Sequence, residues 1–295
     1  MSCDALVLPA IRGLTPYQTG KPIDELQREL GLTRVSKLAS NENPLGCSFD
    51  VVKACQAILE DMARYPDGAG FALKNAISGH FALDANGLVL GNGSNDVLEL
   101  IGRTFAGAGD EVIFSQYAFA VYAITTQAIG ATAVVVPAKD YAHDLAAMAA
   151  AISDKTKLIY LANPNNPTGT CFGQSEWDAF MAKVPKHVLV VLDEAYTEYV
   201  SHADYADGLR ELAKYDNLIV TRTFSKAYGL AGFRLGFAAC SAEIAGYINR
   251  VRQPFNVNSL AMVAGIAALA DQEFVQESVA VNRKGMTIWQ QALSL

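Results

Sequence analysis

From Gly87 onward the chain alternates between short continuous apolar runs, of the kind a buried strand needs, and stretches with helical spacing. The runs predict strands at 88–90, 111–115, 132–136, 157–161, 188–192, 218–222 and 235–240. Helical patterns lie between several of them, at 96–105, 118–129, 144–152 and 175–183. Strands alternating with helices imply an α/β fold: a mostly parallel sheet with helices on both faces. Before this core, residues 14–46 carry Pro16, Pro22 and Pro44 and read as an irregular arm. Residues 50–63 read as an amphipathic helix, with Val51, Ala54, Cys55, Ile58, Leu59 and Met62 on one face. At the far end, 274–293 reads as one long helix with nothing after it to pack against. No fixed-period repeat or low-complexity tract interrupts the pattern.

Composition narrows the function classes. The 295 residues are 51% hydrophobic and 18% charged, enough to bury a substantial core in one large domain or two modest ones. A net charge of −7 with scattered Lys and Arg argues against nucleic acid or an anionic membrane surface as partner. The longest apolar run, 260–270, is too short to span a bilayer, and Met1-Ser2-Cys3-Asp4 has no basic stretch leading into an apolar one. A soluble, cytoplasmic protein is expected. Cys3, Cys47, Cys55, Cys171 and Cys240 form no CxxC pair and read as free thiols. His80, His143, His187 and His202 show no metal-ligand spacing, so no metal is expected and all four read as surface or loop residues.

The candidate chemistry lies in the loops after the predicted strands. Lys226 follows Ser225, with Gly229, Gly232 and Arg234 downstream. A lysine in this company could hold an aldehyde cofactor as a Schiff base while Ser225 and Arg234 grip a phosphate. The apolar run 188–192 ends in Asp193-Glu194-Ala195-Tyr196, which puts a carboxylate at the carboxyl end of a buried strand, where open α/β sheets bind ligands. Pyridoxal phosphate needs such a carboxylate against its ring nitrogen, to keep the ring protonated and able to accept carbanion electrons. Tyr196 could donate to the ring's phenolic oxygen; alternatively, Asp193 only caps the turn after its strand. Asn163-Pro164-Asn165-Asn166-Pro167-Thr168-Gly169 is turn chemistry that would aim the Asn166 amide at the same oxygen.

In this order, Asn166-Pro167-Thr168-Gly169, Asp193 with Tyr196, Ser225-Lys226 and Arg234 resemble the fold-type I pyridoxal phosphate-dependent aminotransferases. The resemblance implies a catalytic Lys226 bound to the cofactor, with Asp193, Asn166 and Tyr196 around its ring. It also implies that Ser94 and Asn95, in Gly91-Asn92-Gly93-Ser94-Asn95-Asp96, offer backbone N–H groups to the phosphate at a helix N-terminus. Phe119 takes the ring-stacking position, where many relatives have tyrosine; packing in the core is its other reading.

Three further stretches resemble the histidinol-phosphate aminotransferases: Leu14-Thr15-Pro16-Tyr17, 38–46 with Asn41, and Arg64-Tyr65-Pro66-Asp67-Gly68. Aromatic-amino-acid aminotransferases and a threonine-phosphate decarboxylase share much of them. The family implies Tyr17 and Asn41 near substrate, and a homodimer in which Tyr65 of one subunit reaches the phosphate bound by the other. The implied reaction transfers an amino group between glutamate/2-oxoglutarate and histidinol phosphate/imidazole acetol phosphate in histidine biosynthesis. An aromatic-amino-acid aminotransferase and a non-catalytic or regulatory pyridoxal phosphate-binding homologue are the alternatives. The expected division is 1–45 (arm and part of a small domain), 46–270 (large cofactor domain) and 271–295 (a helix beginning a small domain otherwise missing). No arginine follows Arg283, so the family's late substrate-binding arginine is expected to be absent and the chain poorly active.

Overall fold

The seven apolar runs become seven strands of one sheet in a computed structural model of the chain, which describes residues 3–294. They are β1 Leu88–Gly91, β2 Glu111–Ser115, β3 Thr132–Val136, β4 Thr156–Ala162, β5 Leu189–Asp193, β6 Leu218–Thr223 and β7 Gly236–Ala239, in the spatial order β1-β7-β6-β5-β4-β2-β3. The pairs among β2 to β6 are all parallel, whereas β7 runs antiparallel to both β1 and β6. β6 and β7 are joined by a loop with one 3₁₀ turn, Ala231–Phe233, and not by the crossover helix that usually links parallel neighbours.

Among the described residues, twelve helices surround the sheet: α1 Pro9–Arg12, α2 Ile23–Leu30, α3 Phe49–Gln56, α4 Phe71–Phe81, α5 Ser94–Phe105, α6 Ala120–Ala128, α7 Leu145–Ala150, α8 Gln174–Met181, α9 Gly208–Glu211, α10 Ala242–Val251, α11 Ser259–Ala270 and α12 Gln272–Leu293. Because successive strand residues face opposite sides, Val112, Leu158, Tyr160, Val191 and Ile219 pack with Val97 and Ile101 of α5, Tyr122 of α6 and Ile244 of α10. Their neighbours Ile113, Ile159, Leu161, Val190 and Val220 meet Met148 of α7 and Trp177 and Phe180 of α8 on the other face. A third cluster joins Leu88, Leu90 and Phe237 to α4 and α11 through Leu73, Ile77, Ala261 and Ala264.

Several expectations change. The arm is not wholly irregular: α2 starts directly after Pro22, where a missing N–H costs nothing, and stops at Gly31 in the left-handed region (φ 63°). The helix expected at 50–63 ends at Gln56 and gives way to a 3₁₀ turn at Leu59–Asp61. Only Val51 of its apolar stripe is buried, while Leu59 and Met62 are exposed, so no core surface supports a longer helix. The pattern also left α4 and α10 unassigned and saw α11 only as an apolar run. His143 is a loop residue as expected, but a half-buried one: its Nε2 lies 3.0 Å from Ala162 O, and burial lowers its pKa. Asp271 closes α11 and caps α12, its carboxylate accepting from Phe274 N. Beyond Ser278, α12 exposes Met286, Ile288, Trp289 and Leu293. Among the described residues, no helix is long and apolar enough to cross a membrane, and no group of three or more His, Cys, Asp or Glu could hold a metal.

Candidate active site

A cleft of about 560 Å³ opens at the carboxyl ends of β4, β5 and β6, and nearly every residue singled out above lines it. The parallel register is the reason. Ala162, Asp193 and Thr221 lie side by side across the three strands, so the loops that follow them begin at one level. Asp193 closes β5, Asn166 lies in the loop after β4, and Ser225 and Lys226 in the loop after β6. Ser94 and Asn95 begin α5, Phe119 is the residue before α6, and Tyr17 and Asn41 come in from the arm.

Asp193 is buried, yet both its oxygens are bonded. Tyr122 OH donates to Oδ2 at 2.8 Å and Thr221 Oγ1 to Oδ1 at 2.9 Å. Burial raises the carboxyl's pKa, opposed by these two hydrogen bonds and by the charge of Lys226. Neither partner was legible beforehand. Tyr122 lies in a different element, and its only sequence signal is a position one helical turn beyond Phe119.

Lys226 Nζ donates to Asn41 O at 3.2 Å and lies 5.5 Å from the centre of the Tyr196 ring. Burial lowers its pKa below that of an ordinary lysine and the nearby Arg234 charge adds to this, with Glu42 and Asp193 acting the other way. The Tyr196 hydroxyl oxygen accepts Asn41 Nδ2 at 2.9 Å and Asn166 Nδ2 at 3.3 Å. With both acceptor positions taken, its one proton is left to donate. Burial raises the Tyr196 pKa, which keeps that proton in place. Hydrogen bonds Asn165 N→Thr170 O and Gly169 N→Asn165 O, both 2.8 Å, hold the Asn166 turn.

The other end of the cleft is built for an anion. Gly93 precedes α5 with φ 87° and has no side chain to cap the helix, so the N–H groups of the first turn lack an internal partner. A Cβ on Gly93 would lie 2.6 Å from Arg234 Nη2, so the glycine is what lets the guanidinium rest against the start of α5. Arg234 itself holds φ 58° and donates from Nη1 to Ala231 O at 3.1 Å. At Gly229 (φ 71°), any Cβ would strike Gly46 O, which seats the arm on the Lys226 loop. Asn43 Nδ2→Ala227 O at 3.1 Å fastens the same contact.

Tyr65 stands apart. It is exposed, stacks on Phe255 at 4.8 Å between ring centroids, and does not line the cleft of its own chain.

A mostly parallel sheet with a lysine, a carboxylate and an uncapped helix end around one cleft defines an aminotransferase-type site. The chain belongs to the family of class I and II aminotransferases, whose model matches residues 33–293. Within that family it is 61% identical over 284 residues to histidinol-phosphate aminotransferase 2 of Hydrogenovibrio crunogenus, covering 96% of this chain and 76% of the relative. Histidinol-phosphate aminotransferase 1 of Mannheimia succiniciproducens is 56% identical, with 93% and 75% covered. The crystal structure of histidinol-phosphate aminotransferase from Sinorhizobium meliloti in complex with pyridoxal 5'-phosphate superposes with a TM-score of 0.85 at 31% identity, over 93% of this chain and 73% of that one. The chain therefore spans about three quarters of the length of these relatives.

Proposed function

We propose that this chain is a pyridoxal 5'-phosphate-dependent histidinol-phosphate aminotransferase, exchanging an amino group between glutamate/2-oxoglutarate and histidinol phosphate/imidazole acetol phosphate. One observation carries the reading: the Lys226 amine, the Asp193 carboxylate and an anion-binding helix end share one cleft in a chain 61% identical to a histidinol-phosphate aminotransferase.

The donor set fits the cofactor. Its phosphate dianion matches the N–H groups of Ser94 and Asn95, the Ser225 hydroxyl and the Arg234 guanidinium. Asp193 supplies the carboxylate for the ring nitrogen, Tyr196 and Asn166 the donors for the phenolic oxygen, and Phe119 an apolar face for the ring. When bound, the cofactor supplies an aldehyde that joins the substrate nitrogen and a ring that accepts the electron pair released at Cα.

The chain does the rest. The Lys226 amine, neutral at lower pH than a free lysine because of burial and Arg234, is the group that can take a proton from substrate Cα and return it to the adjoining cofactor carbon. Asp193 would hold a proton on the ring nitrogen of the bound cofactor, its own charge supported by the hydrogen bonds from Tyr122 and Thr221. Tyr17 and Asn41, which line the cleft from the arm, are proposed to touch substrate. Tyr65 is proposed to complete the phosphate site of a second subunit, which accords with its exposure.

The test is spectroscopic. Glutamate added to the yellow pyridoxal phosphate-loaded protein should convert it to the pyridoxamine form, and imidazole acetol phosphate should reverse this more efficiently than phenylpyruvate. Preference for phenylpyruvate would make it an aromatic-amino-acid aminotransferase, and loading without conversion would make it a non-catalytic homologue.

A further inference from the structure

We propose that Tyr122 and Thr221 are positioning residues for the reaction: their hydroxyls bond one oxygen each of the Asp193 carboxylate, fixing its orientation and keeping it anionic for the ring nitrogen of the bound cofactor. The inference rests on the proposed role of Asp193 at the ring nitrogen.

The geometry of Tyr122 is more than a satisfied core tyrosine requires. Its ring stacks on Tyr160 at 4.8 Å with 5° between planes, so its position is set by packing. Tyr160, equally buried, gives its hydroxyl proton to a backbone carbonyl, Leu98 O, at 3.0 Å. Tyr122 instead gives its proton to a carboxylate that lines the cleft. Burial and the Asp193 charge push the Tyr122 pKa far up, so the hydroxyl is a permanent donor. Tyr122 is also one turn from Phe119, whose carbonyl accepts Tyr122 N–H at 3.1 Å and whose ring meets the Tyr122 ring edge-on at 6.0 Å. One side chain thus links the residue offered to the ring's face with the residue offered to its nitrogen. Thr221 reaches the other oxygen because β5 and β6 pair Asp193 directly with it.

A buried carboxylate stays ionised only if its oxygens are solvated by donors. Without one of them, Asp193 would be the stronger base and would hold the shared proton more tightly than the ring nitrogen of a bound cofactor does. The ring then carries less positive charge, so groups conjugated with it keep their protons to higher pH.

The experiment compares wild type with Tyr122→Phe, Thr221→Val and Thr221→Ser, each loaded with pyridoxal 5'-phosphate. Tyr122→Phe keeps the ring stack and removes only the hydroxyl. The readouts are the cofactor dissociation constant, the pH midpoint of the bound cofactor's visible absorbance, kcat and KM for glutamate, and apoprotein Tm. For Tyr122→Phe and Thr221→Val we expect the midpoint to rise by on the order of one pH unit. Cofactor affinity should weaken about tenfold and kcat should fall more than KM changes. Thr221→Ser, which retains the hydroxyl, should keep the wild-type midpoint. A lower Tm with midpoint and affinity unmoved in both Phe and Val variants would reduce the pair to core packing and overturn the proposal. If Tyr122→Phe does not fold, the Val and Ser variants decide by the same midpoint. Wild-type protein that takes up no pyridoxal phosphate would overturn the cofactor reading itself, an outcome distinct from wild-type uptake with unmoved variants.

Discussion

Lys226 is one of a pair of cations beside a single cleft, and the pair controls its chemistry. Burial comes first and the Arg234 charge second in holding its pKa below 10.5, so more of the amine is neutral near pH 8 than in a free lysine. Borohydride reduction of the pyridoxal phosphate-loaded protein, followed by peptide mapping, should place the pyridoxyl mass on Lys226; label on another lysine refutes the assignment. In the apoprotein, the pH midpoint for trapping Lys226 with a small aldehyde and borohydride should lie below 10.5. Arg234→Gln should move that midpoint up, because the second cause of the depression is gone. Asp193→Asn keeps the shape of the side chain and removes its charge. We expect kcat to fall by on the order of a hundredfold or more with little change in Tm; transamination near the wild-type rate would leave Asp193 as a turn residue. These residues were legible because a lysine, a carboxylate and an asparagine each follow a strand-like run, where a sheet delivers side chains to its carboxyl edge. Tyr122 and Thr221 were not, since each looks like an ordinary member of a helix or strand until register brings it to Asp193.

At the scale of elements, the site's loops are tied together beneath the cleft by buried charges. Arg222 of β6 donates from Nε to Glu194 Oε2 at 2.8 Å and from Nη2 to Asp207 Oδ1 at 3.1 Å, with Glu198 at 3.9 Å. Glu194, between Asp193 and Tyr196 in sequence, also accepts from Gly208 N at 2.7 Å, and the one proton of Tyr205 OH is shared between Glu194 Oε1 at 3.0 Å and Asn163 O at 2.6 Å. The ends of β4, β5 and β6 therefore share one network. Arg222→Met leaves its carboxylates without their cation and should cost about 3–5 kcal/mol in urea unfolding of the apoprotein. Glu198 gives a pH signature. Its carboxyl is pushed from 4.5 up to about 7, chiefly by burial, so the folded protein binds more protons than the unfolded chain between those values. Stability contributed by the protonated carboxyl is present below 4.5 and lost as pH rises through about 7. Glu198→Gln should flatten that slope in urea melts at pH 5, 6, 7 and 8, and an unchanged slope would exclude Glu198 as its source. Element by element, most strands were legible because each is a short apolar run buried on both faces, while the edge strand β3 is largely exposed and was legible from its β-branched Thr132-Ala133-Val134-Val135-Val136 run. Helices α4, α10 and α11 were harder. Gly70, with φ 62°, starts α4 without a side-chain cap, and Gly79 lies within it. In α11, small apolar residues leave no polar face to show a period, and only the Asn258 cap marks its start.

For the whole molecule, the open question is where Tyr65 acts. It lies outside its own cleft, exposed and supported by Phe255 in the left-handed region (φ 57°), with exposed Phe49 on α3 and Phe71 on α4. Tyr65 and Phe255, stacked and both exposed, form an aromatic pair that a partner surface could cover. A second copy is the proposed occupant, each subunit lending Tyr65 to the phosphate end of the other's cleft. In a twofold dimer the exchange is reciprocal, which makes complementation the decisive test. Tyr65→Ala chains keep Lys226 but deprive their partners of the tyrosine, and Lys226→Ala chains do the reverse. A mixed dimer then contains one site with both residues and one with neither. At equal concentrations and free exchange, about a quarter of all sites should be intact, and activity should rise from near zero to about a quarter of wild type. If Tyr65 served its own chain, no site in the mixture would hold both residues. Mixing after proven subunit exchange would then restore nothing, and the shared-site dimer would be refuted.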